Sequence, residues 1–473
     1  MTGTNQNVPN IVTELDPIFR PKSVAVVGAS NTPGKWGFNI LNRILVGGYG
    51  GNIFPLHPAA GEIQGLKAYK RLSDIPTQVD LVVLAVPALQ VPDVLRQCVE
   101  EQVGGALVIT AGFAETSADG VELQSEIVKI ARDGGIRFIG PNCLGIWSSA
   151  VRLSIAGTAT RQGSIAFVSQ SGAFGASLIT LAEAKGYGLS KFISSGNQAD
   201  LNVADYLEYL AEDDDTKVIV LYIEGVPEGR RFLDMARKVS RIKPIVLYKA
   251  GRTSIGGRAV RSHTASMMVE DAVFEGVCAQ AGLVRVYDTN RLFDTAAALA
   301  SAPLPKGPNV GIISMTGGNA VVCSDTCAYL GLEVPELDEN TKDHFSENVL
   351  AEHAPRPSNP IDLAGDFSTP LLHARCAEAL AELDYIHGLI VTPPSLNRTR
   401  GGDDKITIEA VSRIAAIPGR YGKPVLALGR QSADDQVATI LRDAGIPLYQ
   451  SPEDGAYAMK ALVSYATFQS PGD

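Results

Sequence analysis

The last two thirds of this chain repeat themselves, and the repeat sets the architecture. Ser164–Gly172 (SIAFVSQSG) matches Asn309–Gly318 (NVGIISMTGG), each an apolar strand ending in a turn of small residues. Lys243–Arg252 (KPIVLYKAGR) matches Lys423–Arg430 (KPVLALGR), and Gly282–Leu299 matches Gly445–Leu462. Two copies of one flavodoxin-like unit follow. Between the second and third matches the first copy is longer, and its extra residues include Ile255–Ser266 (IGGRAVRSHTAS). An insertion carried by one copy is not needed to complete the fold, so it is a place to look for function.

Ahead of the repeat, Lys22–Gly28 (KSVAVVG) reads as a buried parallel strand, followed by a glycine turn and a helix beginning near Gly37. Unpaired N–H groups at such a turn cradle anions. Gly28, Gly34 and Gly37 lack the G-x-G-x-x-G spacing, and the second strand, Asn52–Pro58, ends without the acid that would hold a ribose diol. Both facts disfavour NAD. Asp80–Pro87, Gly105–Thr110 and Ile136–Gly140 continue the alternation as strands. The expected fold class is α/β: a Rossmann-like domain followed by two flavodoxin-like, doubly wound domains. Boundaries are expected near Thr158–Gly163 and in the proline-rich Ser301–Pro308, giving domains 1–158, 159–302 and 303–473.

With 473 residues, 45% of them hydrophobic, the chain can fill roughly three ordinary cores. A net charge of −10 argues against nucleic acid as a partner, so any anion site must be local. Lys249–Val269 is such a place: it holds Lys249, Arg252, Arg258 and Arg261 and no acid. The six cysteines (98, 143, 278, 323, 327, 376) show no zinc spacing and read as reduced thiols of a cytosolic protein. The N-terminus has no signal pattern, and no apolar run is long enough to cross a bilayer.

His263, in RSHTAS, sits on this cationic loop, where an imidazole nucleophile would have positive charge beside it. Glu224 ends the apolar run Lys217–Ile223. It could hold the His263 imidazole in one tautomer, or simply pair with a surface arginine. The turns at Ser171-Gly172 and Gly317-Gly318 occupy equivalent places in the two copies, and two helix starts aimed at one phosphate would stabilise it. Asn142 could bond a ligand carbonyl or cap its own turn. His57, His344, His353, His373 and His387 have no partner at metal spacing, so no metal site is read.

With these residues in place, the chain closely resembles the α subunits of nucleoside-diphosphate-forming acyl-CoA synthetases, in the succinyl-CoA synthetase superfamily. The likeness runs from Ile18 to the C-terminus and rests on VVGAS, GPNCLG, SQSGAFG, SSGNQAD, YIEG, SHTAS and SNPIDLAGD in combination. It implies a coenzyme A-binding first domain, a ligase domain carrying a phosphohistidine loop, and a second flavodoxin-like ligase domain. It implies interconversion of acyl-CoA, ADP and phosphate with a small carboxylic acid, coenzyme A and ATP, through acyl phosphate and phospho-His263. Glu224 would orient His263; Ser171, Gly172, Gly317 and Gly318 would hold phosphate. Gly28, Ala29, Ser30 and Lys35 would lie along the coenzyme A phosphates, with Pro87 and Asn142 near its adenine or pantetheine arm.

The resemblance places ATP or ADP, with Mg2+, on a separate ATP-grasp β subunit, in a cytoplasmic hetero-oligomer such as a heterotetramer. Two departures stand out. The second strand ends in PLHP where the family more often has PVNP, so His57 would alter a coenzyme A contact. No ATP-grasp domain follows Asp473, so a partner supplies it or the ATP step is not completed. The alternative is a non-catalytic sensor or scaffold that binds coenzyme A or acyl-CoA.

Overall fold

Three sheets each contain five parallel strands in one order, and that order decides where the ligand crevices lie. The computed structural model describes residues 10–59, 61–157, 161–263, 270–350, 356–363, 369–396, 404–430, 432 and 435–470, the side chains of 261–263 excepted.

The first sheet begins with α1 (Ile11–Phe19), β1 (Ser23–Val27), α2 (Trp36–Gly47) and β2 (Asn52–Leu56), and a small hairpin, β3 (Glu62–Ile63) with β4 (Leu66–Lys67), follows. Then come β5 (Leu81–Leu84), α3 (Val91–Glu100), β6 (Gly105–Val108), α4 (Ala118–Asp133) and β7 (Phe138–Ile139). The sheet runs β2-β1-β5-β6-β7, and its paired strands are parallel. Its strands read as near-continuous apolar runs because helices bury them on both sides. They stop short of the expected ends. Pro87 has no N–H for a ladder, and Gly140 turns out of the sheet at φ +102°.

The second sheet starts inside the segment expected to close the first domain: β8 (Ile146–Ser148) and β9 (Leu153–Ser154) form an antiparallel edge. Next come β10 (Gln162–Ser169), α5 (Gly172–Ala184), β11 (Leu189–Ser194), α6 (Val203–Glu212), β12 (Val218–Ile223), α7 (Gly229–Ser240) and β13 (Ile245–Lys249). The insertion folds as α8 (Ser254–His263), followed by α9 (Asp271–Ala281) and β14 (Val284–Val286). The sheet order is β14-β13-β12-β10-β11-β8-β9.

The third sheet is preceded by α10 (Asn290–Ser301) and built from β15 (Val310–Ser314), α11 (Gly317–Tyr329), α12 (Glu339–His344), β16 (Ile361–Asp362), α13 (Pro370–Glu382) and β17 (Gly388–Val391). It ends with α14 (Asp404–Tyr421), β18 (Val425–Leu428), α15 (Gln436–Asp443), β19 (Leu448–Tyr449) and α16 (Pro452–Gln469). Its order, β16-β15-β17-β18-β19, matches β11-β10-β12-β13-β14 strand for strand. Both are the 2-1-3-4-5 order of a flavodoxin-like sheet. The repeat extends to side chains: Ser169 Oγ donates to the Ser171 carbonyl at 2.8 Å, and Ser314 Oγ donates to the Thr316 carbonyl at 2.8 Å.

The chain forms two compact units: Met1–Glu183 with Tyr187–Tyr287, and Ala184–Gly186 with Asp288–Asp473. Within the first, one apolar core runs from Leu81 and Ile139 of the first sheet to Ile193 and Leu221 of the second. Ion pairs line the same seam. Arg137 reaches Glu14 at 2.7 Å and Asp200 at 3.0 Å, while Arg20 and the buried Lys191 meet at Asp213, 2.9 and 2.7 Å away. None of the described helices is long and apolar enough to cross a membrane.

Candidate active site

A parallel sheet binds ligands at the carboxyl ends of its strands, in the crevice where strand order reverses. In the first sheet that crevice lies between β1 and β5, which end at Gly28 and at Ala85–Pro87. Gly28 adopts φ +88°, and a Cβ there would overlap the Ala85 carbonyl oxygen. A Cβ at Gly37 would overlap the Gly28 carbonyl, so the start of α2 packs directly on the end of β1. No side chain caps α2, Lys35 at its start is exposed, and Gly34 has open space around it. An uncapped helix start with an ammonium beside it fits a phosphate-bearing ligand.

The other expected coenzyme A residues divide by role. Ser30 Oγ accepts from Thr32 N–H at 3.0 Å and shapes the turn, while the Ala29 side chain is fully buried and can offer a ligand only its backbone. Pro87 precedes a single helical turn at the mouth of the crevice. Asn142, at φ +57°, donates to Asn197 Oδ1 at 3.3 Å. His57 closes its own turn, with Nδ1 accepting from Ala59 N–H at 3.2 Å. Gln64, unread in the sequence, reaches from the hairpin to the carbonyls of Ser30 and Phe38 at 3.2 and 3.0 Å and so braces the whole turn.

In the second sheet the order reverses between β10 and β12. Their ends carry Gln170-Ser171-Gly172 and Glu224, so two groups separate in sequence meet in one crevice. Gln170, 7% exposed, joins them. Its Oε1 accepts from the Glu224 and Gly225 N–H groups, the latter at 2.8 Å, and its Nε2 donates to the Gly225 carbonyl at 2.6 Å. Lys249 Nζ donates to the Glu224 carbonyl at 2.8 Å. Burial pulls the Lys249 ammonium below its ordinary pKa, with Arg285 acting the same way and Asp271 and Glu224 opposing.

His263 is the last residue of α8, which starts five residues after β13 and is opened by Thr253 Oγ1 accepting from Gly256 N–H at 3.0 Å. Residues 254–263, expected as part of a cationic loop, are helical. The His263 side chain and residues 264–269 lie outside the described residues. In the second unit Gly317 and Gly318 open α11 behind Thr316, whose side chain does not cap the helix. The Asp362 carboxylate lies 3.0 Å from where a Gly317 Cβ would sit, so a side chain at 317 would crowd it.

The signal for Gln170 was present in the repeat. Ser169 pairs with Tyr222, and Ile313 with Val391, which puts Met315 and Pro394 at the places of Gln170 and Glu224 in the second copy. The carboxylate and the amide that holds it occur in one copy and are replaced in the other.

Comparison with known proteins agrees with this fold. Residues 22–149 match a CoA binding domain, and residues 162–299 match a succinyl-CoA ligase like flavodoxin domain. The chain is 37% identical to the α subunit of an ADP-forming acetate–CoA ligase II from Pyrococcus furiosus, over 96% of this chain and 98% of that one. It is 36% identical to an ADP-forming acetate–CoA ligase from Methanocaldococcus jannaschii, over 97% of this chain and 64% of the relative. A solved dinucleotide-forming acetyl-coenzyme A synthetase 1 from Ca. Korarchaeum cryptofilum, in complex with phosphate and ADP, superposes with a TM-score of 0.85 at 33% identity, covering 96% of this chain and 97% of that one. Near-complete coverage at such identity leaves one conclusion: this chain belongs to the α-subunit family of ADP-forming acyl-CoA synthetases.

Proposed function

We propose that the chain is the α subunit of an ADP-forming acyl-CoA synthetase whose phosphoryl carrier is His263. The observation that carries the reading is the crevice between β10 and β12, where Glu224 and the Ser171-Gly172 helix start come together in the copy that also bears the His263 insertion. Its three parts are read as a coenzyme A domain over 1–158, whose last strands pair into the second sheet, a ligase domain over 159–302 and a second flavodoxin-like domain over 303–473; the two family matches, over 22–149 and 162–299, support the first two.

In the first step a phosphate oxygen attacks the acyl-CoA carbonyl, the C–S bond breaks, and acyl phosphate and coenzyme A thiolate result. An imidazole nitrogen of His263 then takes the phosphoryl group and releases the carboxylate. Finally the β-phosphate oxygen of ADP attacks phosphorus, giving ATP and free His263. Such transfers need positioning and charge neutralisation more than covalent assistance. Here N–H groups at the start of α5 and the net positive charge of the Lys249–Val269 stretch supply the positive field, and Glu224 orients the imidazole and stabilises its charged form. Gly28, Ser30 and Lys35 hold the coenzyme A phosphates, with Ala29 contributing backbone, while Pro87 and Asn142 border its arm. ADP and Mg2+ bind a partner ATP-grasp subunit. Six buried, unpaired cysteines suit a reducing cytoplasm.

The test is reconstitution. The chain alone should bind coenzyme A by calorimetry and not NAD. Mixed with an ATP-grasp subunit co-purified from the source cell, it should form ATP from acyl-CoA, phosphate and ADP. Coenzyme A binding without turnover in that complex would instead support the scaffold reading.

A further inference from the structure

Glu115 lies in the turn after β6, the strand next to β5, at the carboxyl edge of the first sheet. Its Oε1 accepts from the N–H groups of Gly112 and Phe113, at 2.7 and 3.2 Å, fixing the turn after β6 where Gly112 adopts φ +107°. Its Oε2 accepts from Asn197 Nδ2 at 2.5 Å, across the seam to the turn after β11. That same Asn197 nitrogen donates to Gln124 Oε1 at 2.9 Å, and Asn197 Oδ1 accepts from Asn142 Nδ2 at 3.3 Å. The backbone repeats the link. Asn197 N–H donates to the Pro141 carbonyl at 2.9 Å, and a Cβ at Gly196 would overlap that oxygen.

From Asn197 the chain of bonds continues to the phosphate turn. Ser195 N–H donates to the Ser169 carbonyl at 2.9 Å, and Ser169 Oγ holds the Ser171 carbonyl at 2.8 Å. Burial works to raise the Glu115 pKa, but the Asn197 amide and the turn's N–H groups outweigh it, so the carboxyl is held below its ordinary value. An ionised, acceptor-only group is what this arrangement of donors requires.

We infer that Glu115 and Asn197 form a positioning pair that sets the coenzyme A crevice against the Ser171-Gly172 phosphate turn, so that the thioester carbonyl and the phosphate meet in reacting geometry. The inference rests on the proposed acyl-CoA synthetase reaction. A misplacement of about 1 Å at a reacting centre costs about 100-fold in rate, so the pair governs turnover and not affinity.

A reciprocal exchange tests it. In Glu115→Gln the new amide must point a donor either at Asn197 Nδ2 or at the two N–H groups, while Asn197→Asp sets two carboxylates face to face. In the double variant the introduced amide keeps the two N–H groups through its oxygen, and its nitrogen donates to the introduced carboxylate. That carboxylate also accepts from Asn142 and from a rotated Gln124 amide. Turnover of the complex with its ATP-grasp subunit should fall by about 100-fold in each single variant and recover in the double variant. Coenzyme A affinity, by calorimetry on the full chain, should stay at the wild-type value in all three. Wild-type turnover in either single variant overturns the inference. So does a joint loss of affinity and turnover that the exchange does not restore, since that marks a merely structural contact. Absence of coenzyme A binding in the wild-type chain instead defeats the functional reading beneath it.

Discussion

The side-chain amide of Gln170 is bonded to the backbone on both sides of Glu224's peptide link to Gly225. It accepts from the N–H of Glu224 and of Gly225, and it donates to the Gly225 carbonyl. A carboxylate at the end of a strand would otherwise ride on a free loop. The amide instead ties it to the end of β10, the strand that opens into the phosphate turn.

Replacing Gln170 by methionine, the residue the second copy uses, keeps the volume and removes three hydrogen bonds to the Glu224–Gly225 backbone. A net value of about 1 kcal/mol per bond leaves the chain folded with Glu224 misplaced. Phosphohistidine formation, read by phosphate labelling of the reconstituted complex, should drop towards that of Glu224→Gln, with coenzyme A affinity unchanged in both. Labelling at the wild-type level in Glu224→Gln would remove Glu224 from the mechanism.

His263→Ala should abolish both phosphate labelling and ATP formation while leaving coenzyme A binding intact. The imidazole is the only group in the proposed cycle that bonds to phosphorus between the two half-reactions. Full turnover in the alanine variant would show that phosphate passes directly to ADP.

Two glycines of the first turn separate steric need from backbone preference. Gly37→Ala drives a methyl into the Gly28 carbonyl, and overpacking of about 1–3 kcal/mol, if borne by the bound conformation, corresponds to a loss of coenzyme A affinity of about 5- to 140-fold. Gly34 sits at φ +87° with nothing within 4 Å of a Cβ. Gly34→Ala should cost about 1–2 kcal/mol of stability through the left-handed backbone and reduce affinity far less. Calorimetry with coenzyme A and thermal unfolding measure the two effects separately.

The seam of the first unit should titrate. Burial works to raise the Asp213 pKa, but Lys191, Thr216 and Arg20 outweigh it, so the folded value lies below the unfolded one. The stabilisation is therefore complete above the unfolded value of about 3.9 and is lost as pH falls through the folded value. Asp213→Asn leaves the buried Lys191 with only the more distant Asp215, 3.9 Å away, as counter-charge, and should cost about 3 kcal/mol near pH 7. That gap should close in acid. The Lys191 pKa is lowered as well, because burial lowers it more than Asp213 raises it. Its folded value lies below the unfolded value of about 10.4, so its contribution becomes more favourable as pH rises through that window. Lys191→Met should cost much less than Asp213→Asn, because Asp213 keeps Arg20 at 2.9 Å and Thr216 at 2.5 Å. Thermal midpoints measured across pH decide between these outcomes.

Much of the protein was written in its order of residues. Buried parallel strands must be apolar end to end, and the turns that follow must be small, so the three sheets and the doubled flavodoxin-like unit were legible in Lys22–Gly28, Ser164–Gly172 and Asn309–Gly318. The insertion of His263 into one copy was legible for the same reason, since a repeat exposes what is added to it. Side chains that act through a single hydrogen-bonded neighbour leave no period. Gln170 beside Glu224, Gln64 under the coenzyme A turn and Glu115 against Asn197 are joined over 54, 34 and 82 positions of chain. Likewise, Ile146–Ser148 carries the apolar text of either sheet, and only pairing with β11 assigned it to the second. Sequence by itself determined which segments must be buried and which turns can face an anion, because burial and backbone freedom act residue by residue. Tertiary structure alone decided which strand ends share a crevice and which polar side chains lock them, because those choices depend on sheet order and on distances between residues far apart in the chain.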